Sequence, residues 1–210
     1  MKSIKLIPVL FLLITGNCLN GQTFIGGNMS FSCFRGDQDR PAGTRKTNNY
    51  TLGLMPSLGG FVSDNLAVGV ALDISLTQSK TDYINVSTLK TSGIGINPFL
   101  RYYAIVWNKF SIYGQGNIIA TFSKTKDELN GAFSETSGTQ FGFSINPGLN
   151  YDLSDKVSLF TSINFLSLGY YYSVTKQGTQ KDKSSAFNIG AGLDNIVSMG
   201  GLNIGAIYKF

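Results

Sequence analysis

The chain has 210 residues, and only 14% of them are charged, against roughly 25% in ordinary soluble domains; the net charge is +5. The missing charge is replaced by 25 Gly and by Ser, Thr and Asn rather than by apolar residues, which argues against a coiled coil, a helical bundle and a helical membrane protein, while 15 Phe and 10 Tyr argue against disorder. The absence of His removes every His-dependent hydrolase and metalloprotease site, two Cys cannot build a zinc cluster, and basic residues interleaved with acidic ones leave no nucleic-acid stripe.

Residues 1–21 read as a secretory signal: Lys2 and Lys5 form a basic start, and an apolar run through Leu6, Val9, Phe11 and Ile14 follows, too short to span a bilayer as a helix. Cleavage is expected between Gly21 and Gln22. Lipidation at Cys18 is disfavoured because Asn17 is not the small residue such sites need. If Cys18 leaves with the signal, Cys33 stands alone. Residues 22–210 then form one domain.

That domain is patterned with period two. Eight strands are expected, near 23–34, 49–62, 66–77, 91–105, 110–122, 139–153, 157–173 and 186–210. In the third, Leu66, Val68, Val70, Leu72, Ile74 and Leu76 alternate with Ala67, Gly69, Ala71, Asp73, Ser75 and Thr77. The last places Leu202, Ile204, Ala206, Tyr208 and Phe210 on one face. Most strands exceed the ~9–11 residues that a tilted strand needs to cross a bilayer. Three connections are short, at 63–65, 107–109 and 154–156. Four are long and polar, near 35–48, 78–90, 123–138 and 174–185. Sorting short turns to one end and long loops to the other is the pattern of a membrane barrel.

Pro56, Pro98 and Pro147 recur several residues before each short turn, so a shared bulge or kink is expected there, because Pro breaks a ladder. The apolar face changes parity around Phe165 and Leu166 and again within 194–201, which calls for a bulge or an irregular stretch; 194–201 could instead add strands.

The two faces set the orientation. The apolar faces carry almost no charge, as a lipid surface requires. The opposite faces carry Asp73, Asn97, Arg101, Gln115, Asn117, Asn146, Asn150, Asp152 and Lys209, expected to fill the interior as a hydrogen-bonded and ionic plug. Trp107, Phe110, Tyr102, Tyr151, Tyr208 and Phe210 gather by the short turns, and Tyr50, Phe122, Phe141, Tyr170 and Tyr172 lie toward the long loops, as two interfacial girdles would. The expected fold is all-β, an eight-stranded antiparallel up-and-down transmembrane β-barrel.

The signal, the long alternating strands and the terminal Tyr208-Lys209-Phe210 together resemble the outer-membrane β-barrel family of small OmpA/OmpX-like porin-type proteins. The segment 56–69, PSLGGFVSDNLAVG, is similar to Bacteroidetes-type members. The resemblance covers the mature chain and implies a cell outer membrane location. It also implies that the barrel-assembly machinery recognises Phe210, with Tyr208 beside it on the same face.

The leading functional expectation is an integral outer-membrane protein with a structural or surface-interaction role, since eight strands leave an interior just wide enough for side chains. A narrow porin is the alternative, and a soluble lipocalin-like binding barrel the second. Known outer-membrane barrel enzymes generally use a His, so no enzyme is expected. Of 15 basic residues after the signal, 11 fall in the long loops with seven acidic ones, a net +4; they include Arg35, Arg40, Arg45, Lys46, Lys124, Lys126, Lys176, Lys181 and Lys183. These could contact lipopolysaccharide phosphates or simply be solvated. No metal, cofactor or nucleic acid is indicated, and a monomer is expected.

Overall fold

The computed structural model describes residues 22–41, 43–83, 86–129, 131–163, 166–191 and 202–210. The expected signal and the 194–201 stretch lie outside them. Ten strands are described: β1 (Thr23–Arg40), β2 (Gly43–Ser63), β3 (Leu66–Asp82), β4 (Val86–Trp107), β5 (Phe110–Leu129), β6 (Ala132–Asp152), β7 (Val157–Ile163), β8 (Leu166–Gln177), β9 (Gln180–Ala191) and β10 (Leu202–Lys209). Every pairing is antiparallel, and β1 through β7 with β10 close into a ring of eight. The closing ladder joins β1 to β10 from Phe24↔Lys209 to Met29↔Ile204. β8 continues the place of β7 beside β6, and β9 pairs with β8.

The barrel is turned inside out relative to a soluble one. Leu58, Leu72, Ile74, Ile94, Ile96 and Ile118 are exposed on its outer surface, whereas Ala67, Ala71, Asn97, Arg101 and Ser158 are buried. A lipocalin-like barrel would have the reverse, so that alternative is set aside. The closed ladder satisfies backbone donors and acceptors without water, as an acyl-chain environment demands. Both aromatic groups lie on the exterior where the sequence places them. Trp107 is 78% exposed at the short-turn end, and Phe122, Phe141 and Tyr170 are exposed toward the other.

The four long loops are a correction. Most of the chain in segments 35–48, 78–90, 123–138 and 174–185 forms the outer ends of strands. Both faces of these hairpins meet water, so their hydrophobicity does not alternate and the period-two signal vanishes. Cross-strand hydroxyl pairs stand at or near their bases: Thr51 with Thr77 at 3.3 Å, Thr91 with Thr125 at 2.9 Å and Ser173 with Ser184 at 2.8 Å.

The parity change near residue 165 is real. Between Gly148↔Ser162 and Ile145↔Leu168, β6 advances three positions while the facing chain advances six. An odd number of extra residues swaps the faces. Pro147 sits at this break. Pro56 and Pro98 each face a two-residue lapse in one ladder with no change of register, a missing donor rather than the expected bulge. The register shifts of β2 and β4 lie nearer the turns, at Phe61/Ser63 and Tyr103/Ile105.

One pairing rule sets the interior. Phe24, Phe99, Tyr113 and Phe160 each stand directly across a strand pair from a glycine: Gly59, Gly69, Gly148 and Gly205. A Cβ on Gly59 or Gly69 would lie 2.5 Å from a ring carbon, and one on Gly148 or Gly205 would overlap Tyr113 or Phe160. The rings lie flat over the bare backbone, which is how a large side chain fits inside a narrow cylinder.

Ala at Gly59, Gly69, Gly148 or Gly205 is therefore expected to cost about 1–3 kcal/mol through overpacking. Ala at Gly114 or Gly116, where a Cβ meets open space, is expected to be neutral. Urea midpoints read by the mobility difference between folded and heat-denatured protein check the contrast.

Candidate functional site

The interior residues named from sequence fall into layers rather than one polar filling. Nearest the short turns, Lys209 Nζ donates to Asp152 Oδ1 at 3.0 Å, and Asp152 also accepts from Asn150 Nδ2 at 3.2 Å and from Ser158 Oγ. This ties β10 to β6 and β7 beside the seam where the first and last strands meet. Lys209 Nζ also lies 5.9 Å from the Phe61 ring centroid. A cavity of about 530 Å³ opens here, lined by Asp64, Tyr103, Asn150, Asp152 and Lys209 among others.

The next layer is aromatic, and this corrects the expectation of a polar filling. Centroid distances run from Phe99 to Phe24 at 6.5 Å, Phe24 to Phe61 at 5.7 Å, Phe61 to Tyr103 at 5.8 Å and Tyr103 to Tyr113 at 5.9 Å. The Arg101 guanidinium links the ends of this chain: its Cζ lies 4.4 Å from Tyr113, 4.5 Å from Phe160 and 5.7 Å from Phe99. Arg101 is only 4% exposed, and its Nε donates to Gln115 Oε1 at 2.8 Å. Ring faces supply electron density to the guanidinium where no carboxylate among the described residues pairs with it. Tyr113 donates its hydroxyl to the Thr161 carbonyl at 3.1 Å. The alternation had put Phe99, Arg101 and Tyr103 on one face. The signal that would have found the layer is a ring on the polar face with Gly opposite.

Above it lies an amide layer. Gln115 Nε2 donates to Asn117 Oδ1 at 2.7 Å, Asn117 Nδ2 to Ser144 Oγ at 3.2 Å, and Asn146 Nδ2 to the same Ser144 Oγ at 3.3 Å. Asp73 and Asn97 belong to this level and make none of these bonds. All nine interior residues read from sequence thus face inward, but only Asp152 and Lys209 form an ion pair.

The basic residues of the outer segments stand on strands. Lys90, Lys124 and Lys126 are exposed and share the outward parity of Ile94 and Phe122, just beyond the apolar belt. Lys90 stands directly opposite Lys126, and Lys124 pairs with Glu135 at 3.4 Å. Lys80 and Lys90 join this group although the sequence did not single them out. Tyr208 and Phe210 face outward, with ring centroids 5.2 Å apart. Cys33 is free and exposed.

A family model described as the outer membrane protein beta-barrel domain matches residues 19–194. No curated protein matches the chain. Among solved structures, it is similar to a major outer membrane protein from Thermus thermophilus, at 11% identity and a TM-score of 0.48, covering 91% of this chain and 100% of that one. It is also similar to Neisserial surface protein A, at 16% identity and a TM-score of 0.34, covering 90% and 96%. The translocator domain of the autotransporter NalP from Neisseria meningitidis is a third, at 11% identity and a TM-score of 0.39, covering 98% and 95%.

Replacing Asp152 by Asn is expected to lower unfolding stability by about 1 kcal/mol, because the half-buried Lys209 loses its charged partner. Urea titration followed by Trp107 fluorescence checks this.

Proposed function

Because the chain belongs to the outer membrane protein β-barrel domain family, we propose that it is a non-conducting integral protein of the outer membrane whose work is done at its outer surface. The observation that carries this is the ring of aromatics closed by Arg101. Six of the eight ring positions contribute to the layer: Phe24 from β1, Phe61 from β2, Phe99, Arg101 and Tyr103 from β4, Tyr113 from β5, Phe160 from β7 and Ile207 from β10. The packing of these side chains on one another supports a barrel closed to a continuous water column. No catalytic step is assigned to it. Export would rest on the segment 1–21, and insertion on Phe210 and Tyr208 as the signal for the assembly machinery.

The outer surface reading rests on Lys90, Lys124 and Lys126. Glu135, opposite Lys126 and paired with Lys124, sets one carboxylate against these three lysines; like charges directly opposite on adjacent strands destabilise a sheet unless an anion neutralises them. Their outward aim, just past the apolar belt, suits the phosphates of lipopolysaccharide. Contact of that kind weakens with salt, because exposed charges are screened within ~10 Å at 0.1 M.

Two measurements test the proposal. In planar bilayers the protein is expected to show no discrete openings, whereas a folded Arg101→Ser, Phe160→Ala variant conducts; steady openings of the unaltered protein would favour the narrow porin. Lipopolysaccharide is expected to bind at low ionic strength and to be released by added NaCl, with Lys90→Gln, Lys126→Gln weakening it. No binding at low salt removes the lipopolysaccharide role.

A further inference from the structure

We infer that the middle of the barrel holds a binding site for one alkali-metal cation, with the Asp73 carboxylate and the Asn97 side-chain oxygen as its protein ligands. The site is a cavity of about 210 Å³ lined by residues from seven strands, β1 through β7. That volume admits a small ion with a few waters.

The charges around the cavity are unbalanced. Asp73 is its acidic lining residue, and no Lys or Arg lines it. Among the described residues Asp73 has neither an ion pair nor a hydrogen-bond partner. Arg101 belongs to the layer below, where it is stacked among rings and bonded to Gln115. An ionised carboxylate enclosed in a membrane-spanning barrel needs a compensating charge.

A second, independent observation concerns Asn97. It is 6% exposed, it lines the same cavity, and its Oδ1 is buried with no hydrogen-bond partner. Two neighbouring amide acceptors on the wall are already engaged: Gln115 Oε1 accepts from Arg101 and Asn117 Oδ1 accepts from Gln115. Asp73 lies opposite Gly95, and Asn97 opposite Ala71, so the two are diagonal neighbours on the inward face of β3 and β4. Such neighbours lie ~7–8 Å apart along the backbone, close enough for two side-chain oxygens to meet one ion.

The donor set names the class. Carboxylate, amide and water oxygens are hard ligands, which excludes the thiolate- and imidazole-seeking metals. A single formal negative charge matches a monovalent ion. No group of three or more His, Cys, Asp or Glu gathers among the described residues, so the charge count of a tight divalent site is lacking.

The test uses the intact barrel in detergent micelles at fixed ionic strength, with NaCl exchanged stepwise for N-methyl-D-glucamine chloride. The thermal midpoint, read by circular dichroism and by heat-dependent gel mobility, is expected to rise saturably with Na⁺ by about 2–4 °C. Asp73→Asn is expected to abolish the rise and to raise the midpoint in glucamine, where the carboxylate lacks its counterion. A purely structural Asp73 would give a lower midpoint in both salts, which overturns the site. Asn97→Ala is expected to shift half-saturation upward roughly tenfold. The inference also fails if the unaltered protein melts alike in both chlorides, or if Asp73→Asn keeps the response. Should Asp73→Asn not fold, ²³Na line broadening by the unaltered protein, reversed by K⁺, decides the matter; no broadening overturns the site.

Discussion

Four of the aromatic rings inside this eight-stranded cylinder fit because the strand beside each carries no side chain at that level, and the interior is built around them. Four glycines on β2, β3, β6 and β10 face four rings on β1, β4, β5 and β7. The rings then meet edge to face and in stacks around the circumference, and Arg101 fits among them because its flat guanidinium takes no more room than another ring. Apolar burial, which in a soluble barrel occurs along the whole axis, is confined here to one layer near the short turns.

The rest of the stability comes from the environment and from hydrogen bonds. The outward Leu, Ile, Val and Phe side chains are matched to acyl chains, so they gain little from packing on one another. Buried interior polar groups lose water, so most of them need a partner within the barrel. The Arg101–Gln115–Asn117–Ser144–Asn146 series supplies partners on one wall, and the Asp152–Lys209 group supplies them at the seam. The seam pair has a clear physical task. Lys209 belongs to the last strand and Asp152 to β6, so their bond fixes the strand that closes the ring.

Outside the apolar belt the same strands continue as two-sided polar hairpins. They carry most of the basic charge of the domain and hold it at defined heights. A lysine on a strand is aimed, whereas a lysine on a loose loop is not. That is why the exposed group on β4 and β5 suits a phosphate surface better than the same residues counted as loop charge.

The sequence alone determined the fold class, the orientation of the two faces and the inward aim of Asp73, Asn97, Arg101 and Asp152, because a side-chain period of two survives in the primary structure wherever one face meets lipid. It also marked the parity change near Phe165, since an odd insertion leaves an arithmetic trace. It did not show where strands end, because beyond the lipid both faces are wet and the contrast disappears. Nor did it show that Phe99, Tyr113 and Phe160 enclose Arg101. Those contacts depend on which glycine on a neighbouring strand comes level with each ring, and that level is decided only when the sheet closes and fixes its register.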